Sequence, residues 1–240
     1  MSMQQEERFG HHWREEDRVA EYVERMDRQQ AERDPVFTLM TQLIPGGNDT
    51  PLRILDVGSG YAPVAAACLD AFPNAHAIGL DISDAMMATG RERMARFGGR
   101  FEYMIGDFAD GELPANAKDA GPYDAIVSAR AIHHLPAEGM RSLYADIFRN
   151  LKPGGAFFNI DTASPETSHL KNVFREIRRS EKPNDEPPRD PQAQPHSVAM
   201  YHHDDATLFK HLEWLKEAGF TSVDCFWKRL SLALVGGYKL

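Results

Sequence analysis

The ten residues Ile54-Leu55-Asp56-Val57-Gly58-Ser59-Gly60-Tyr61-Ala62-Pro63 limit the folds open to this chain more than any other stretch. An apolar run of strand length enters a glycine turn, and Pro63 follows where the first turn of a helix accepts proline. Strand, glycine turn and helix in that order form the lip of a ligand crevice in an open α/β sheet. Gly58 and Gly60 supply the backbone freedom and close approach that a ligand lying over the strand's carboxyl end requires.

The same unit recurs along the chain. Strand patterns fall at residues 53–57, 75–80, 101–105, 123–128 and 155–160, and most gaps between them carry helical periodicity. Ser83 is placed to cap a helix starting at Asp84, and Leu143, Ile147 and Leu151 share an apolar face with Tyr144 and Phe148. The gap at 108–121, with its glycines, prolines and acids, predicts a loop or at most a short helix. Before the first strand, Trp13, Val19, Tyr22, Val23 and Met26, then Phe37, Met40 and Leu43, repeat at helical spacing. They predict two helices broken at Asp34-Pro35.

After the fifth strand, residues 165–200 hold a charged helix and a proline-rich run, an insertion that would overhang the crevice as a lid. A helix carrying Leu208, Leu212 and Leu215 stops at Gly219. Strands at 221–227 and 230–235 then leave only Lys228 and Arg229 between them, which demands a hairpin. The expected fold is α/β: a doubly wound, Rossmann-like seven-stranded sheet with an antiparallel last strand, helices on both faces and an N-terminal helical cap. Residues 1–48 would form the cap or lid and 49–240 the ligand-binding domain.

Composition narrows the partners. A net charge of -9 argues against a broad phosphate-binding face and so against nucleic acid. Cys68 and Cys225 have no metal-type spacing, the first residues lack the apolar core of a signal peptide, and no apolar run is long enough to cross a bilayer. A cytoplasmic protein without a membrane partner is expected; a homodimer is compatible with the sequence. His11-His12 and His202-His203-Asp204-Asp205 do not make a metal site, because adjacent histidines diverge and no i, i+4 ligand pair accompanies them.

The turn also discriminates between cofactors. A dinucleotide fingerprint presents helix amides to a pyrophosphate, but its third small position is here Pro63, which has no amide. A pyrophosphate would also be repelled by Asp56. S-adenosylmethionine (SAM) has no phosphate, carries an ammonium and a sulfonium, and would favour an acid at the turn.

With these elements in place, the chain resembles the class I SAM-dependent methyltransferases over roughly residues 50–237. Asp56-Val57-Gly58-Ser59-Gly60 matches the family's first motif, with Ala62 where many members have another glycine. Gly79-Leu80-Asp81-Ile82-Ser83 resembles the second, in which an acid accepts both ribose hydroxyls; Asp81 follows Gly60 by the spacing a ribose-binding acid needs. Gly106-Asp107-Phe108 resembles the third, which implies that Asp107 takes the adenine amino group and Phe108 packs on the base. The run from Tyr123 to Ser128 resembles the fourth strand, and Leu151-Lys152-Pro153-Gly154-Gly155 the turn before the fifth. The resemblance implies a cofactor site of Asp56, Gly58, Gly60, Asp81, Ile82, Asp107, Phe108 and Ser128. The opening from Trp13 to Phe37 is similar to the helical cap of carboxy-SAM synthase and related small-molecule enzymes.

The implied activity is methyl transfer from SAM to an O, N or C nucleophile of a small molecule, leaving S-adenosylhomocysteine (SAH). Two alternatives stand beside it: a SAM-utilising enzyme that modifies the cofactor itself, as carboxy-SAM synthase does, and a non-catalytic SAM-binding module. His133 and His134 follow the fourth strand and are the candidate general bases, with capping of the next helix as the competing role. Arg130 is placed to hold a substrate carboxylate in a fork or to pair with a surface acid. Trp13, Tyr22, Tyr201 and His202 complete the candidate acceptor and lid residues.

Overall fold

The computed structural model describes residues 16–47, 49–181 and 206–240. Trp13, Tyr201 and His202 lie outside these residues. Seven strands form one sheet: β1 (Arg53–Val57), β2 (His76–Asp81), β3 (Phe101–Ile105), β4 (Tyr123–Ala129), β5 (Leu151–Thr162), β6 (Thr221–Arg229) and β7 (Leu232–Tyr238). Their order is β3-β2-β1-β4-β5-β7-β6. β7 alone runs against its neighbours, pairing antiparallel with both β5 and β6. The order reverses between β1 and β4, so a crevice opens outside their carboxyl ends.

Helices cover both faces. α2 (Gln30–Leu43), α3 (Pro63–Ala71) and α4 (Asp84–Met94) pack on one side, where Phe37, Met40, Ile54, Leu69, Met94 and Phe158 share a buried cluster. α5 (Ala115–Asp119), α6 (Ala137–Asn150) and α8 (Leu208–Ala218) pack on the other, with Leu55, Tyr123, Tyr144, Phe157 and Leu215 buried among them. Neighbours Ile54 and Leu55 face opposite cores, which is why β1 reads as an unbroken apolar run.

α1 (Glu16–Arg28) lies over the crevice, its Val19, Val23 and Met26 buried against Tyr61 and Met86. Arg93 on α4 clamps it through two hydrogen bonds to Asp27, at 2.8 and 2.7 Å. α7 (Ser168–Ser180) is charged and buries no residue. Among the described residues no helix is long and apolar enough to cross a membrane.

Two expected boundaries move. The break between α1 and α2 is at Gln29, and Pro35 sits inside α2. A proline within a helix costs about 3 kcal/mol, and the burial of Val36, Phe37 and Met40 on the same helix, each contributing about 1.5–3 kcal/mol, offsets it. The hairpin turn is Leu230-Ser231 rather than Lys228-Arg229, since Lys228 pairs with Ala233 and Arg229 with Leu232. Irregularities in β6 between Thr221 and Asp224, and again between Cys225 and Trp227, break the period-two pattern. β7 also continues through Gly236, which lies so close to the Phe158 ring that no side chain fits there.

Candidate functional site

One cavity of about 570 Å³ follows the carboxyl edge of the sheet from β3 to β6. It divides at the β1/β4 switch point. Gly58, Gly60, Asp81, Ile82, Asp107 and Phe108 line the half over β1, β2 and β3. Arg130, Ile160, Thr162, Trp227, Arg229 and Leu232 line the half over β4, β5, β7 and β6. Tyr22 and Met26 of α1 and Arg33 and Phe37 of α2 form a further wall.

The glycine turn is built from its own hydrogen bonds. The Gly58 and Ser59 amides both donate to the Leu80 carbonyl, at 2.8 and 3.0 Å. The Gly60 amide donates to Asp81 Oδ2 at 2.7 Å, and the Ala62 amide to the Ser59 carbonyl at 2.8 Å. Gly58 and Gly60 have φ of 69° and 55°, and a side chain on Gly58 would fall on the Ala131 methyl. Ala62 also has positive φ, 62°, so the alanine that replaces the family's glycine bears a left-handed backbone.

Asp81 ends β2 with Oδ2 accepting the Gly60 amide at 2.7 Å and Oδ1 the Ser83 amide at 2.8 Å, and the Ile82 amide also favours its charged form. A carboxylate has about four lone-pair sites, so acceptor capacity remains for a ribose hydroxyl. Burial raises the Asp81 pKa, and the Ser83 and Gly60 amides oppose the rise. Asp107 Oδ1 accepts the Ala109 amide at 2.8 Å, and Phe108 lies beside Gly58 at the mouth of β3. These residues fit the ribose and adenine of SAM: an acid with spare acceptor sites, a bare turn, and an acid and an aromatic where the base would lie.

Asp56 and Ser128 stand behind the wall rather than in it. Asp56 is 1% exposed and its Oδ2 accepts the Ala65 amide at 3.0 Å. Ala62, the N-cap of α3, has no side-chain acceptor, so Asp56 caps the helix from β1. Burial pushes its carboxyl up to about 7 against the Ala65 amide, and the nearby Asp81 charge adds to the rise. The fixed negative charge expected beneath the ligand is thus a buried cap. Ser128 is fully buried, and its hydroxyl donates to the Val57 carbonyl at 2.7 Å, stitching β4 to β1.

The two histidines separate in role. His134 lines the cavity and His133 does not. His133 Nδ1 lies 2.6 Å from Asp161 Oδ1, and its backbone amide donates to Asp161 Oδ2 at 3.0 Å. Burial works against the charge on Asp161, but the His133 ring and the Thr162 and His133 amides outweigh it and hold the carboxyl below the usual range. The His133 and His134 rings sit 4.1 Å apart, centre to centre.

Sequence reading did not place Arg33, Asp161, Arg178, Trp227 or Leu230 in the site. Arg33 donates to the Tyr61 hydroxyl at 2.9 Å, which ties α2 to the glycine turn. Tyr103 on β3 donates to the Gly60 carbonyl at 3.2 Å, and its hydroxyl occupies the space that a side chain on Gly90 would need. Gly90 was the available signal, a glycine in the middle of a predicted helix.

Residues 54–155 match the model of a methyltransferase domain family. Among curated relatives, a ubiquinone/menaquinone biosynthesis C-methyltransferase of Methylobacterium nodulans is 34% identical over 126 residues, 52% of this chain and 47% of that protein. A sterol 24-C-methyltransferase of Yarrowia lipolytica is 32% identical over 108 residues, 44% of this chain and 26% of that one. The chain thus spans half or less of the length of these relatives. Among solved structures, human N-acetylserotonin methyltransferase in complex with SAM superposes with a TM-score of 0.60 at 19% identity, covering 95% of this chain and 57% of that one. A family 2 O-methyltransferase of Planctomyces limnophilus gives 0.63 at 19% identity, covering 94% and 62%. Residues 54–155 thus match a methyltransferase domain, in a chain that has the fold of these solved methyltransferases.

Proposed function

We propose that this protein transfers a methyl group from SAM to a small-molecule acceptor. The observation that carries the reading is how the glycine turn spends its amides. Those of Gly58, Ser59, Gly60 and Ala62 all donate within the protein, so these four are not offered to a pyrophosphate, while Asp81 keeps acceptor capacity for a ribose. Bound SAM supplies an electrophilic methyl on a sulfonium.

The chain's own residues would position the reactants. Asp81 takes the ribose hydroxyls, Asp107 the adenine amino group, and Phe108 and Ile82 pack on the base. The cofactor half of the cavity has the acids, which suits a cationic ligand. His134 faces the cavity and is placed to take a proton from a hydroxyl or amine acceptor, while His133 is a positioning residue that Asp161 orients and that stacks on His134. α1 and α2 help to close the cavity to water, so alignment of nucleophile and methyl contributes most of the rate. The net charge of -9 supports a small molecule over nucleic acid as acceptor, and the two free cysteines support a cytoplasmic setting.

Asp81→Ala tests the cofactor assignment. Loss of charged hydrogen bonds to both ribose hydroxyls is expected to weaken SAM binding by about 100-fold or more in calorimetry, in a variant that still melts cooperatively. Near-normal affinity would overturn the ribose role.

A further inference from the structure

The cavity is split by charge as well as by topology. Its acids over the sheet's first half are Asp81 and Asp107, the charged lining of the second half is Arg130, Arg178, Arg229 and Glu181, and the α1–α2 wall adds Arg25, Glu32 and Arg33. Glu181 is spent on Arg229, with oxygen and nitrogen 2.8 Å apart. Arg178 donates to a neutral partner, the Ser231 hydroxyl, at 2.9 Å. The Arg130 guanidinium has no hydrogen-bond or ion-pair partner among the described residues. Two positive charges there, both on exposed side chains, therefore have no acid partner among the described residues, in a chain whose net charge is -9. A generally basic surface cannot account for them.

Arg130 is also held in an expensive conformation. Its φ is 57°, in the left-handed region, which costs a residue with a side chain about 1–2 kcal/mol. The conformation persists because the Arg130 amide donates to the Ile160 carbonyl at 2.9 Å, and because Ala131 closes against Gly58. The backbone thus brings this arginine out at the switch point, beside the turn over which the methyl donor would lie. The surrounding surface is apolar and aromatic, with Ile160, Trp227, Leu230 and Leu232.

From this arrangement we infer that the methyl acceptor is an organic acid, with its carboxylate in the fork of Arg130 and its apolar body against the Trp227 side of the cavity. The inference rests on the methyl-transfer reading and names its substrate class. A guanidinium presents paired donors that match a carboxylate, and the same fork gives no advantage to an uncharged amide of equal shape. A phosphate ester is the rival ligand, because Arg178 lines the same half of the cavity, and the titration below separates the two.

The test uses the full chain saturated with SAH, titrated by calorimetry with benzoate, benzamide and phenyl phosphate. Benzoate is expected to bind at least about tenfold more tightly than benzamide, and Arg130→Met to abolish that preference while SAH still saturates the variant. Equal binding of benzoate and benzamide, or binding of neither, overturns the inference, and so does a preference that survives in Arg130→Met. Phenyl phosphate binding about tenfold more tightly than benzoate overturns the carboxylate in favour of a phosphate. The wild-type comparison stands without the variant, should that fail to fold. SAH failing to bind the wild-type chain would overturn the methyl-transfer reading and this inference with it, whereas SAH binding without a benzoate preference overturns this inference alone.

Discussion

A single buried carboxyl shows how the turn is held. Asp56 caps α3 from beneath, and burial first, then the neighbouring Asp81 charge, raises its carboxyl to about 7 against the Ala65 amide. In the unfolded chain the same group titrates near 3.8. Between these values the folded protein holds a proton that the unfolded chain has released, so this group's contribution to stability falls as pH rises from about 4 to 7. Asn at this position keeps an oxygen for the Ala65 amide and cannot ionise. Asp56→Asn is therefore expected to gain stability relative to wild type as pH rises from 5 to 8, read as the difference in Tm. A difference that is flat across that range would show that Asp56 titrates normally.

Between elements, the closest fit is α4 on β3. Gly90 presents a bare helix face to Tyr103, whose hydroxyl holds the Gly60 carbonyl. Two effects compete in Gly90→Ala. Helix propensity favours alanine by about 1 kcal/mol, but overpacking a buried contact typically costs about 1–3 kcal/mol. A methyl at Gly90 would meet the Tyr103 ring and the Tyr61 backbone, so overpacking is expected to win. Tm should fall, and SAH affinity should fall with it, because the displaced hydroxyl supports the turn. A raised Tm with unchanged affinity would show that Tyr103 simply moves aside.

At the scale of the whole molecule, the cavity joins parts of the chain that share little else. Its walls come from α1, α2, the carboxyl ends of the parallel strands, α7 and the β6–β7 turn. α1 is held by one small apolar cluster and the Arg93–Asp27 pair, whose side chains are about 40% exposed, so the clamp itself adds little. A ligand bridging these walls stabilises the folded state by mass action, about 2.7 kcal/mol at 100 times its Kd. For a chain of this size SAH at that excess should raise Tm by about 5–10 °C. No shift at saturating SAH would mean that the cavity is not its site.

The sequence by itself determined the parallel core, the glycine turn and the antiparallel closing strand, because each is written in a local pattern of strand runs and turns, and it put Asp81 and Asp107 at the crevice they line. It misjudged the Asp34-Pro35 break and the hairpin turn, where burial of Phe37 and Met40 and the irregularities of β6 override local preference. Only the tertiary structure decided that Asp56 is a cap, that Asp161 orients His133, and that Arg130, Arg178 and Trp227 share one half of a cavity with the acids in the other. The physical reason is distance along the chain. These side chains come from elements as far apart in the chain as those of Asp81 and Trp227, and their meeting is set by strand order and packing, which no local periodicity records.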